Sequence, residues 1–130
     1  MLSIFGAAAA VLLLQAQPAP DPQLARDVVA AAELIRDQVP LRSGPATIIG
    51  ASARGVELIV EIDPDDAVDA AYVERFRASL PGIACENSQA RAFLLRGGTY
   101  TYRLRGEDGQ SFTTSMTSAE ASRRCPYADD

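Results

Sequence analysis

Two cysteines constrain this chain more than any other feature. Cys85 and Cys125 are its only thiols, and both lie downstream of an apolar leader. Ile4 to Leu14 is an unbroken apolar run of eleven residues. As a helix it would span about 16 Å against about 30 Å of bilayer hydrocarbon, so it reads as the hydrophobic region of a signal peptide and not as a membrane span. Gln15, Ala16 and Gln17 break the run, Pro18, Pro20 and Pro22 follow, and a cut after Ala16, or as late as Ala19, suits a small-residue cleavage site. Met1-Leu2-Ser3 carries no basic side chain, which is atypical of such leaders. An even cysteine count in an oxidising compartment predicts a disulfide. Closing a loop of about 40 residues contributes roughly 3–4 kcal/mol in the chain-entropy picture. A metal pair and a catalytic dithiol are the alternatives, and the lack of histidine and of C-x-x-C spacing argues against both. Neither cysteine stands at the cut, so a free protein without a lipid anchor is expected.

The expected organisation is a signal peptide over 1–16, a proline-rich leader over 17–22, a single α+β domain over 23–126 and a loose tail over 127–130. The exported part, about 110 residues, is near the usual size of one domain. Its core must be built mainly from Val, Ile and Leu, because aromatic residues make up 6% of the chain and tryptophan is absent. A net charge of -5 argues against a nucleic-acid partner, which needs clustered positive charge. There is no lysine, so Schiff-base chemistry is excluded, and the absence of histidine removes the commonest general base and metal ligand. No catalytic residue, no cofactor and no resident metal are expected.

Hydrophobic periodicity places a helix over Asp21–Val39, with Asp21 as N-cap, Pro22 at the first helical position and Pro40 ending it. Arg42-Ser43-Gly44-Pro45 reads as a loop. Ala46–Ser52 and Val56–Ile62 read as a hairpin; in the second strand Val56, Leu58, Val60 and Ile62 share one face. A helix is expected from about Ala67 to Leu80, ended by Pro81-Gly82, and another over Asn87–Arg96 capped by Gly97-Gly98. Thr99–Arg105 and Ser111–Thr117 form a second hairpin, and Ser118 caps a last helical turn before Cys125. The expected architecture is α-ββ-αα-ββ: a four-stranded antiparallel sheet with helices mainly on one face and one disulfide, which ties the start of the third helix to the end of the last strand.

Asp63, Asp65, Asp66 and Asp69 form the best metal candidate. The glycine and terminal glutamate of an EF-hand loop are missing, and helix capping explains the same residues. Glu57 and Glu61 lie about 13 Å apart along a strand, too far for a glycosidase pair. Arg91, Arg96, Arg103 and Arg105 concentrate positive charge, with cross-strand ion pairs to Glu57 and Glu61 as the plain account and an anion or partner site as the sharper one. Ile59 and Ile49, beside Thr101 and Arg103 on the polar face, are the candidate floor of an apolar groove for a partner helix.

The order of these motifs resembles the small β-sheet class of type II secretion system pilotins. The parallel runs through the helix ending at Gln38-Val39-Pro40-Leu41-Arg42-Ser43, the hairpin Ala46–Ile62 and the segment Cys85-Glu86-Asn87-Ser88-Gln89-Ala90-Arg91. It continues through Gly98-Thr99-Tyr100-Thr101-Tyr102 and the last strand leading to Cys125. The resemblance covers most of the chain from Val39 onward. It implies a sheet flanked by helices, stapled by Cys85–Cys125, that binds a short helical C-terminal segment of an outer-membrane secretin. Pilotins of that class are lipoproteins, and this sequence lacks their lipidation cysteine. The expectation is a non-catalytic binding or assembly-accessory protein in the periplasm of a Gram-negative bacterium. A small secreted inhibitor or ligand-binding protein is the second reading, and an enzyme using carboxylates or Tyr100 and Tyr102 the third.

Overall fold

The computed structural model describes residues 21–125. The signal-peptide reading of 1–16, most of the proline-rich leader and the 127–130 tail lie outside the described residues. The first helix, α1 (Pro22–Gln38), starts where the sequence predicts: the Asp21 carboxylate accepts from the Gln23 amide at 3.0 Å. Its core side, Leu24, Val28 and Ala32, is almost fully buried.

Three strands follow, β1 (Leu41–Ser43), β2 (Ala46–Arg54) and β3 (Glu57–Pro64). β1 corrects the reading of 42–45 as a loop. Leu41 pairs with Ile48 and Ser43 with Ala46, because Gly44 takes φ +57° and lets a two-residue turn fold the chain back on itself. A bulge interrupts β2 between Ile48 and Gly50.

The next helix, α2 (Ala70–Glu86), begins later and runs longer than predicted. Asp69 caps it, its carboxylate accepting from the Tyr72 amide at 2.8 Å. Pro81 lies inside it. A proline in a helix interior costs about 3 kcal/mol, a penalty opposed here by burial of Leu80 and Ala84 on either side and by the disulfide at Cys85. Asn87 then caps α3 (Ser88–Leu95), accepting from the amides of Gln89 and Ala90. Strands β4 (Thr99–Arg105) and β5 (Ser111–Met116) and helix α4 (Ser118–Arg124) complete the order.

The sheet has five strands in the order β1-β2-β3-β4-β5. It is mixed and not antiparallel: β3 and β4 pair in parallel, Leu58 beside Tyr100 and Ile62 beside Leu104. The reason is the connection. α2 and α3 carry the chain back along one face before β4 begins, and a helical crossover of that length returns the next strand in the same direction. The Cys85–Cys125 disulfide is present, with Cα atoms 5.3 Å apart. It joins the last turn of α2 to the residue after α4, since α4 and not β5 leads into Cys125.

Two apolar clusters share the helix-covered face. One gathers Val28, Leu58, Val60, Ile62, Val73 and Leu104; the other surrounds the disulfide with Leu80, Leu94, Met116 and Ala121. Phe76, Phe93, Tyr100 and Tyr102 pack against both.

Candidate functional site

Helix α1 leans on β2 and β3, whereas α2 packs on β5, α3 and α4. Polar pins hold the two apart. The Arg36 guanidinium donates to the Ala51 carbonyl at 3.2 Å, fixing α1 over β2, and Arg77 donates to the Thr114 hydroxyl at 3.3 Å, fixing α2 near β5. Arg96, at the end of α3, reaches Asp27 at 3.0 Å and Asp21 at 3.3 Å and clamps the start of α1. Between α1 and α2, over the centre of the sheet, a cleft of about 800 Å³ opens.

Its floor is made by Leu58, Val60 and Ile62 of β3 with Tyr100 and Tyr102 of β4. These residues alternate along their strands and therefore face the same way. One wall carries Ala31, Leu34 and Ile35 of α1; the other carries Tyr72, Phe76, Ser79 and Ile83 of α2, a stripe at helical spacing. Leu34 and Ile83 form the lips and are 61% and 56% exposed. Two large exposed aliphatic side chains that line one apolar cleft differ from singly exposed leucines, which need no account.

The floor is rigid. Phe76 meets Tyr102 edge-on at 5.4 Å between ring centroids, Tyr102 stacks on Tyr100 at 6.1 Å, and Tyr100 meets Phe93 edge-on at 4.8 Å. Burial, and after it the neighbouring Tyr100, pushes the Tyr102 phenol up to about 12. Burial likewise raises Tyr100. Both rings stay neutral at physiological pH and give the cleft an apolar body with hydroxyl tips.

The opposite face of the sheet is different. The register sets Ser52, Ile59 and Thr101 side by side, with Ser115 next to Thr101. Ile59 and Thr101 are each only 4% exposed. The Thr101 hydroxyl donates to Glu57 and lies 2.9 Å from the Ser115 hydroxyl. That bond from Thr101 first, and Arg54 after it, hold the Glu57 carboxyl below its usual range against the opposing effect of burial. Arg54 reaches Glu57 at 2.7 Å and Arg103 reaches Glu61 at 3.7 Å. Ile49 is partly buried at the β2 bulge. None of Ile49, Ile59, Thr101 and Arg103 lines the cleft. In the acidic run, Asp69 caps α2 and Asp65 pairs with Arg42.

The cleft was only half visible in the sequence. Leu34 stands off the apolar stripe of α1, and Ile83 lies beyond the point where Pro81 suggests a helix end. An apolar residue off the stripe on α1, and one that continues the Phe76 stripe past Pro81 on α2, are the signals that could have marked the lips.

No family model and no curated protein matches the sequence. Solved structures do match. The pilotin EpsS of the Vibrio vulnificus type 2 secretion system superposes with a TM-score of 0.67 at 21% identity, over 76% of this chain and 92% of that one. The type II secretion system pilotin AspS of Vibrio cholerae gives 0.63 at 24% identity, over 75% and 92%. The fold is pilotin-like. A protein of Pseudomonas aeruginosa described as secreted shares it, with a TM-score of 0.59 at 21% identity over 81% and 98% of the two chains. At such identities the likeness is one of fold. Within the pilotin-like fold of this chain, the described residues contain no helix long and apolar enough to cross a membrane.

Proposed function

We propose that this chain is an exported, non-catalytic assembly-accessory protein that receives a helical segment of a secretion-system partner in the cleft between α1 and α2. The observation that carries the reading is the cleft itself: about 800 Å³, floored by Tyr100 and Tyr102 and lipped by the exposed Leu34 and Ile83. An amphipathic helix buries its apolar face in a groove of this kind through side chains at i, i+3, i+4 and i+7. The pilotin-like fold and the secretion-system descriptions of its structural neighbours support a secretin C-terminal segment as that helix. Export by the 1–16 leader, with cleavage after Ala16 or Ala19, and residence in the periplasm belong to the same proposal.

The face bearing Ile59, Thr101 and Arg103 is the weaker candidate, because among the described residues its strands carry no exposed large apolar side chain comparable to Leu34 and Ile83 of the cleft. A small apolar ligand is the second reading, favoured by a cleft volume inside the range of about 300–1,000 Å³ common to ligand sites.

Affinity capture from periplasm and outer membrane, with the oxidised protein as bait and mass spectrometry as readout, tests the proposal. The expected result is a secretin, lost when its C-terminal segment is deleted and lost again with Leu34→Asp or Ile83→Asp bait. Recovery of the secretin by both lip variants at wild-type level would remove the cleft from the account.

A further inference from the structure

Of the nineteen described residues that line the cleft, one carries a formal charge: Arg75. The chain as a whole holds 17 carboxylate side chains against 12 basic ones, yet among the described residues no carboxylate lines this cleft. Some of the other arginines are engaged with carboxylates, and those that make no ion pair among the described residues, Arg26, Arg36, Arg91, Arg105, Arg123 and Arg124, do not line the cleft. Arg42, Arg54, Arg77, Arg96 and Arg103 each have a carboxylate within 4 Å, whereas among the described residues Arg75 makes no ion pair. Its guanidinium lies 5.8 Å from the centroid of the Tyr72 ring. Tyr72 and Arg75 are three residues apart on the stripe of α2 that faces the cleft, so the contact holds the cation over the apolar wall. A guanidinium offers a planar fork of donors suited to a carboxylate.

Resting on the reading that the cleft receives a helix, we infer that the cleft selects an amphipathic helix with a carboxylate next to its apolar stripe, and that Arg75 receives that carboxylate. The apolar stripe supplies most of the affinity; the charge supplies register and partner choice. An acid at the wrong offset along the partner leaves Arg75 unanswered, and a lysine at the right offset is repelled.

The test is a selection of displayed amphipathic helical peptides on the oxidised protein, run in parallel on wild type, Arg75→Gln and Leu34→Asp/Ile83→Asp. The expected result is a set of peptides that share an apolar stripe and are enriched in Asp or Glu at one fixed offset. That enrichment vanishes on Arg75→Gln, and the acidic peptides bind that variant about 5-fold more weakly, within the range of partly exposed ion pairs. Matching thermal unfolding of Arg75→Gln and wild type checks that the variant is folded. Peptides that need Leu34 and Ile83 but show no acidic preference would overturn this inference and leave the cleft reading standing. Selected peptides that bind the lip variants equally well, or the absence of any selected peptide, would overturn both.

Discussion

At the scale of single residues, the cleft depends on side chains whose neighbours fix them. Gly98 is one. A Cβ built there would stand 2.3 Å from the Phe93 ring, so any larger residue displaces that ring from its edge contact with Tyr100. Gly98→Ala is expected to lower unfolding stability by about 1–3 kcal/mol, the usual cost of overpacking, measured by urea titration. Tyr102 is another. Its phenol is raised from 10.0 to about 12, so the fold favours the protonated form. Its contribution is full below about pH 10 and is lost as the pH climbs through the folded-state value near 12. Stability measured across pH 9–12 is expected to fall for wild type and to fall less for Tyr102→Phe. Equal alkaline loss in both would remove Tyr102 as its cause.

At the scale of elements, the periodic segments were legible and their exceptions were not. Val56, Leu58, Val60 and Ile62 alternate, and Leu24, Val28 and Ala32 recur at helical spacing, so β3 and α1 follow from pattern alone. Pro81 misleads because a local rule for ending helices is outweighed by burial of Leu80 and Ala84, which the sequence does not display. β1 is missed because three residues are too few to show alternation, and its pairing rests on the turn at Gly44. The parallel step between β3 and β4 was implied by two helices in the connection. It was overlooked because two hairpins in sequence suggest an antiparallel meander. The candidate site was the least legible part: Tyr100 and Tyr102 could be assigned to one strand face, but the gap above them depends on where α1 and α2 are pinned. The disulfide is the strongest of those pins on the α2 side. The double variant Cys85→Ala/Cys125→Ala is expected to lose roughly 3–4 kcal/mol of stability, read by denaturant titration against the oxidised protein.

At the scale of the whole molecule, the two sheet faces have different chemistry. One is covered by helices and opens into an apolar cleft; the other carries Thr101 hydrogen-bonded to both Glu57 and Ser115. Leu34 and Ile83 leave apolar area exposed at the cleft, the area that the proposed partner helix would cover. The pilotins of Vibrio vulnificus and Vibrio cholerae share the architecture over about three quarters of this chain, and the proposed function turns on the question of which sheet face would receive a partner. Amide shift mapping of the isotope-labelled, oxidised protein during titration with a secretin C-terminal peptide answers it directly. The account predicts saturable shifts at Ala31, Leu34, Phe76, Ile83, Tyr100 and Tyr102, with Ser52 and Ser115 unmoved. Shifts centred on Ile59, Thr101 and Arg103, or no shifts at all, would contradict it.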